Sequence, residues 1–295
     1  MSSTDKGGAA NRVSIVEMAP RDGLQNEKGL IATQDKIGLV DRLSDCGFER
    51  IEVTSFVSPT WVPQLADAAE VMAGIVRRPG VRYAVLTPNM KGFEAALAAG
   101  ADEVAIFASA SEGFSQHNIN CSIAESIARF RPVAEAARGH AIAVRGYVSC
   151  VVECPYDGAV APESAAHVAG QLLKLGCYEI SLGDTIGRGT PEAVERMLSA
   201  VLADIPADKL AGHFHDTSGW ALDNIGVALD RGIRVFDASV GGLGGCPYAP
   251  GAKGNVDTLL VNRYVKGRGF ATGLDEDALE VASAFARSLR SAHDL

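Results

Sequence analysis

From Val13 onward, short runs of β-branched and aromatic residues alternate with longer stretches in which apolar positions recur every three or four residues. The first pattern predicts buried strands and the second amphipathic helices. Strands are expected at Val13–Met18, Arg50–Ser55, Arg82–Leu86, Glu103–Phe107, Ile142–Ser149, Tyr178–Leu182, Leu210–His215 and Val235–Val240. Helices are expected near 33–46, 64–76, 91–99, 121–138, 162–175, 190–203 and 217–231, with another after 255. Glycine supplies the expected stop signal at Cys46-Gly47, Ala99-Gly100, Arg138-Gly139, Leu175-Gly176 and Arg231-Gly232. Thr33, Thr190-Pro191-Glu192 and Asp216-Thr217 read as helix starts.

Eight evenly spaced βα units without a break in composition predict an α/β protein, a single (β/α)8 TIM barrel. The competing architecture is an open doubly wound sheet, but no GxGxxG follows the first strand. The barrel is expected to span 13–273, after a polar tail over 1–12 and before a terminal helix over 274–295 packed on the barrel. Chemistry is then expected at the C-terminal ends of the strands.

Composition narrows the picture without changing it. The 295 residues are 47% hydrophobic and 21% charged, ample for a large core. A net charge of −9 gives no sign of a nucleic-acid or anionic-membrane partner. The 6 cysteines form no CxxC pair and read as reduced thiols of a cytosolic-type compartment. MSSTDKGGAANR has no apolar h-region or Arg-rich amphipathic run, and no apolar stretch reaches transmembrane length. A cytoplasmic location is expected.

Chemically able residues cluster at the predicted strand ends. RDGLQNEK (21–28) follows strand 1, placing Arg21 and Asp22 beside a glycine; a surface turn with a solvated ion pair reads the same way. Glu52 lies within the apolar run IEVTSF, facing either an outer edge or the barrel interior, where it needs a partner such as Arg21. In GHFHD, His213 and His215 project to one side of strand 7, as two metal ligands or as structural histidines. Strand 6 ends with Ser181, Asp184 and Thr185, of which Asp184 equally suits an N-cap. His117 and Asn118 fall in EGFSQHNIN, taken as a loop that either touches substrate or is polar surface. SVGGLGGCPYAPGAKGN (239–255) holds six glycines, a single cysteine, Cys246, and then Pro247. Such a segment suits a mobile loop carrying one reactive side chain, or a plain connector with an incidental thiol. Asn255 at its end reads as a helix cap or a metal ligand.

Together RDGLQNEK, VTSFVSP (53–59), SLGDTIGRGTP (181–191), GHFHDT (212–217) and the Cys246 segment resemble the hydroxymethylglutaryl-CoA lyase family of the DRE-TIM metallolyase superfamily. The resemblance runs from strand 1 to strand 8, and the Asp, Arg and Glu of that name match Asp22, Arg21 and Glu52. GGCPY is the most specific element, because condensing relatives share the Arg-Asp and HxH elements without it. Gly241 and Lys253 depart from the small residues expected there.

The resemblance implies retro-Claisen cleavage of hydroxymethylglutaryl-CoA to acetyl-CoA and acetoacetate, a reaction that fits leucine breakdown. It implies a divalent cation, Mg²⁺ or Mn²⁺ with Zn²⁺ or Co²⁺ also compatible, on Asp22, His213, His215 and Asn255. Arg21 is expected to stabilise the enolate oxygen, Glu52 to hold Arg21, and Cys246 to carry a proton as general acid or base. Gln25, Ser55, Asn118, Ser181 and Asp184 are expected to contact substrate or order the site. The partner is an acyl-CoA substrate, the assembly a homodimer, and the CoA groove is not legible. Rival expectations are a lyase for a longer 3-hydroxy-3-alkylglutaryl-CoA, a condensing synthase of the isopropylmalate or homocitrate type, and a non-catalytic binding barrel.

Overall fold

The computed structural model describes residues 11–244 and 254–291. Eight parallel strands close into a barrel: β1 (Ser14–Glu17), β2 (Arg50–Ser55), β3 (Arg82–Leu86), β4 (Glu103–Ser109), β5 (Ala143–Ser149), β6 (Glu179–Asp184), β7 (Leu210–Phe214) and β8 (Val235–Ala238). Consecutive strands are neighbours, and β8 closes on β1 in the register Ser14↔Val235 to Glu17↔Ala238. Around them run α1 (Thr33–Ser44), α2 (Ala68–Gly74), α3 (Met90–Ala98), α4 (Glu112–Ile119), α5 (Ile123–Gly139), α6 (Pro162–Leu175), α7 (Pro191–Val201), α8 (Ala221–Asp230) and α9 (Thr258–Gly267). A further helix, α10 (Glu276–Ser291), packs on α1 and on the turn at Val240–Gly242. No described helix is long and apolar enough to cross a membrane.

Alternation along the strands divides the molecule into two interiors. Ile15, Ile51, Val53, Val104, Ile106, Ile180 and Phe236 point out into the main core, which the helices cover. Burying each large apolar side chain there contributes about 1.5–3 kcal/mol. The opposite phase fills the barrel itself. Val16, Met18, Leu86, Ala105 and Tyr147 form a small apolar plug. Charged side chains fill the rest: Arg50 and Arg145 both donate to Glu179 Oε1, at 2.7 and 2.8 Å. Arg145 also grips Asp237 through two nitrogens, at 2.8 and 3.1 Å. Tyr178 OH bridges Arg50 to Glu103. Stripping one partner from a buried pair of this kind costs about 3–5 kcal/mol, because the other charge is stranded.

The strand and helix order follows the sequence pattern, with differences that have local causes. Residues 112–119, expected as a loop, form α4: Ser111 accepts from Phe114 N and caps the helix despite its weak apolar periodicity. A small antiparallel hairpin pairs Glu153–Cys154 with Gly158–Ala159, too short to leave a pattern. Thr190 caps α7 as expected, and Gly176 ends α6 at φ 111°. Gly139, in contrast, is the last residue of α5 rather than the residue beyond it. Thr33 opens α1 without capping it, its hydroxyl instead donating to Asp67. The helix expected from Asp216-Thr217 starts at Ala221, whose N–H reaches Asp216. Asp257, not Asn255, caps α9.

Candidate active site

β1 runs into a tight turn, Ala19–Gly23, whose Pro20 fixes the entry and which lays Arg21 and Asp22 over the C-terminal mouth of the barrel. Arg21 Nε donates to Glu52 Oε2 at 2.6 Å, and Nη1 to Asp22 Oδ1 at 2.5 Å. Glu52 shares the inward phase of Arg50 and is 1% exposed, which settles its direction: it faces the interior. Tyr147 OH donates to its second oxygen at 3.2 Å. Arg21 is therefore held in a planar fork, as only a guanidinium can be.

Beside this pair lies a cluster of donor atoms. His213 and His215 present their Nε2 atoms 3.2 Å apart, and Asp22 Oδ2 lies 3.9 Å from each. Asn255 closes the ring: its Nδ2 donates to Asp22 Oδ2 at 2.7 Å and to Leu243 O at 3.4 Å. A backbone bridge pairs His215 with Asn255. Asp22, His213 and His215 are the described acidic, histidine and cysteine side chains that gather closely enough to hold a metal ion.

Electrostatics favour a cation there. Burial alone would push the Asp22 carboxyl up, but the Arg21 guanidinium and the two imidazoles hold it well below the usual carboxylate range. His213 Nδ1 faces Asp237 Oδ2 at 3.1 Å, which places a proton on Nδ1 and turns Nε2 toward the cluster; against its burial, Asp237 and Asp22 hold the imidazole above its ordinary value. Two imidazole nitrogens and a carboxylate turned on one point form a donor set that fits a divalent ion.

Asp237, Arg145 and Tyr147 were not among the residues expected from sequence. Asp237 accepts from His213, Ser181 Oγ at 2.7 Å and both ends of Arg145, which hold its carboxyl below the usual range against the burial that would raise it. Tyr147 connects Arg145 to Glu52. The available signal was a charged or phenolic residue at the inward phase of an apolar strand, as in AVRGYVS and VFDA.

The other expected site residues are placed variously. Ser181 is committed to Asp237. Asp184 accepts the N–H groups of Arg188 and Gly189 and so folds the loop after β6. Ser55 ends β2, fully buried, and accepts from Val57 N. Gln25 is half-buried just past Asp22. Asn118, exposed on α4, borders a small cleft at the ends of β4 and β5. Cys246 and the rest of 245–253 lie outside the described residues. A cavity of about 750 Å³ lies on the flank between α5 and α6, lined by Ile127, Glu163 and His167 and apart from this cluster.

A family model for HMGL-like proteins matches residues 12–285. The chain belongs to the HMGL-like family. Among HMGL-like relatives, a 3-hydroxy-3-isohexenylglutaryl-CoA/hydroxy-methylglutaryl-CoA lyase of Pseudomonas aeruginosa is 60% identical over 268 residues, 91% of this chain and 89% of that protein. The crystal structure of the HMG-CoA lyase from Brucella melitensis superposes with a TM-score of 0.95 at 67% identity, covering 95% of this chain and 99% of that one. An HMG-CoA lyase from Acinetobacter baumannii, solved with coenzyme A and 3-methylmalate, gives a TM-score of 0.91 at 38% identity, covering 96% and 93%.

Proposed function

We propose that this chain is a hydroxymethylglutaryl-CoA lyase, a carbon–carbon lyase that cleaves 3-hydroxy-3-methylglutaryl-CoA to acetyl-CoA and acetoacetate. The observation that carries this reading is the meeting of Asp22, His213, His215 and Asn255 with the Arg21–Glu52 pair at one mouth of the barrel. Those four residues would hold the divalent ion, for which Mg²⁺ or Mn²⁺ suits the mixed oxygen and nitrogen donors. Bound there, such an ion lowers the pKa of a substrate hydroxyl and orients the reacting bond.

The protein's own groups account for the remaining needs. Cleavage removes the tertiary hydroxyl proton, breaks the C–C bond to leave acetoacetate, and leaves an acetyl-CoA enolate that takes up one proton. Arg21, immobilised by Glu52 and Asp22, offers a fixed positive charge to the enolate oxygen. A preorganised donor of this kind lowers the barrier by about 2.7–4 kcal/mol. Glu52 and Tyr147 keep that charge in place. Cys246, in the segment joining Gly244 to Gly254, is the proton carrier in this reading, supported by its GGCPY setting. Gln25, Ser55 and Asn118 are its candidate substrate contacts, and by family likeness the assembly is a homodimer, which sedimentation checks.

The test is acetoacetate release from hydroxymethylglutaryl-CoA after chelator treatment, with and without added Mg²⁺. Metal-dependent turnover that falls by orders of magnitude in Cys246→Ala, with Mg²⁺ binding retained, supports the reading. A parent protein inactive with every divalent ion sinks it. A second reading, cleavage of a longer 3-hydroxy-3-alkylglutaryl-CoA, is favoured by the double name of the 60% identical Pseudomonas relative. Relative kcat/KM for the methyl and the longer thioester decides between them.

A further inference from the structure

Glu17 ends β1 with its side chain pointing away from the barrel axis, and it is fully buried. Its carboxyl is the meeting point of three chain segments. Oε1 accepts from Ala19 N at 2.8 Å and from Val240 N at 3.0 Å. Oε2 pairs with Thr258 Oγ1 at 2.8 Å. Ala19 opens the turn that carries Arg21 and Asp22; Val240 opens the turn leading to Leu243; Thr258 opens α9, three residues beyond Asn255.

The same three segments meet again at the site, where Asn255 Nδ2 reaches Asp22 Oδ2 and Leu243 O. Backbone bonds fix two of them to each other below Glu17: Ser239 N to Val256 O at 3.0 Å and Thr258 N to Ser239 O at 3.2 Å. Those bonds set Asn255 against the 239–243 segment, yet neither reaches the turn that holds Asp22. The β1–β8 ladder and the bond from Met18 N to Ala238 O at 2.8 Å tie the foot of that turn to β8, and Glu17 adds the side-chain link, bonding Ala19 on one side and both Val240 and Thr258 on the other.

We infer that Glu17 is a positioning residue for the metal site: its carboxyl holds the Asp22 turn in register with Asn255, and through that register it sets the affinity for a divalent cation. The inference rests on the assignment of Asp22 and Asn255 as ligands. Burial in this apolar setting pushes the Glu17 carboxyl up to about 8, outweighing its hydrogen bonds, so at neutral pH the acid mostly keeps its proton. Thr258 Oγ1 donates to the ionised carboxylate, and with the acid protonated the same contact runs from Oε2–H to Thr258 Oγ1; a glutamine amide accepts on Oε1 and donates from Nε2 at the same places, with one N–H more. Aspartate, one methylene shorter, cannot span all three partners.

The test is Mn²⁺ titration of the chelator-treated full-length protein by calorimetry, alongside its thermal midpoint without metal. The outcome expected is Glu17→Gln binding Mn²⁺ within about threefold of the parent. Glu17→Asp and Thr258→Val should weaken binding by about 10-fold or more, the effect typical of groups that orient ligands, with Thr258→Ser restoring it. Thr258→Val is the milder change and decides the matter if Glu17→Asp does not fold. Folded Glu17→Asp or Thr258→Val protein that binds Mn²⁺ like the parent overturns the inference, as does Glu17→Gln binding as weakly as Glu17→Asp. Lowered thermal midpoints with unchanged affinity overturn it too, leaving Glu17 a purely structural group. A parent that binds no Mn²⁺ removes the ligand assignment and this inference together, whereas a binding parent with indifferent variants removes only the latter.

Discussion

His213 and Asp237 stand 3.1 Å apart, ring Nδ1 to carboxylate Oδ2, and the same carboxylate is clasped by Arg145 from the other side. The contact fixes which ring nitrogen carries the proton and directs the other to Asp22 and His215. Replacing Asp237 with Asn keeps the shape but allows the amide to present a donor to His213 and leaves Glu179 as the anion paired with Arg145. Mn²⁺ affinity is expected to fall about 10- to 100-fold, read by calorimetry. Stability should fall as well, and an unchanged affinity would show that the ring is oriented by other means.

Gly244 has φ +104°, and a Cβ built on it would lie 2.7 Å from Asn255 Nδ2 and 3.3 Å from Asp22 O. Gly244→Ala therefore adds backbone strain, on the order of 1–3 kcal/mol. It also drives a methyl group into the Asn255–Asp22 contact. Cation binding and kcat should both drop, with a modest loss in the urea midpoint. Metal affinity equal to the parent's would show that Asn255 can give way without cost.

Arg21→Lys keeps the positive charge and loses the fork that Glu52 and Asp22 hold. Turnover should fall about 10²–10³-fold, as on loss of one preorganised donor at a developing oxyanion. KM should change little. A lysine variant within a few-fold of the parent in kcat would mean that charge alone suffices.

Stability should depend on pH through Glu17. Its carboxyl titrates near 8 when folded and from the ordinary value of 4.5 when unfolded, burial being the main cause. Between those values the unfolded chain releases a proton that the folded chain retains. Folding stability from this group is thus complete below about 4.5 and declines as pH rises toward 8. Asp257 pushes the same way, and the neighbouring Cys46 thiol, pushed up to about 12 by burial, stays neutral across the window. Urea unfolding with chelator present should show the parent losing ground to Glu17→Gln from pH 5 to 9. A constant difference between the two would place the folded carboxyl at an ordinary value.

Much of the barrel was legible because its outward strand faces are apolar and its helices end in glycine or begin with proline. Arg50–Ser55 and Arg82–Leu86 fell where the pattern put them. α4 was not legible: EGFSQHNI offers no apolar stripe, and its start depends on the Ser111 cap. At the site, Arg21, Glu52 and the two histidines stood out as polar groups at strand ends. Arg145 and Asp237 did not, since a charge inside a strand reads as an outward edge until the opposite wall of the barrel is known. Glu17 was hidden for the same reason, its three partners lying 2, 223 and 241 residues away.

The charged interior of the barrel has a consequence for the protein as a whole. Arg21, Arg50 and Arg145 are hydrogen-bonded, through Tyr147 and Tyr178, into one network with Asp22, Glu52, Glu103, Glu179 and Asp237, and Arg82 joins it at Glu103. Burial pushes the Glu52 and Glu103 carboxyls up, and Asp237 and Asp22 hold the His213 imidazole up against its burial, so protons as well as arginines set the charge balance there. A divalent ion held by Asp22, His213 and His215 would stabilise the folded chain by mass action, so a chain starved of metal should open more readily.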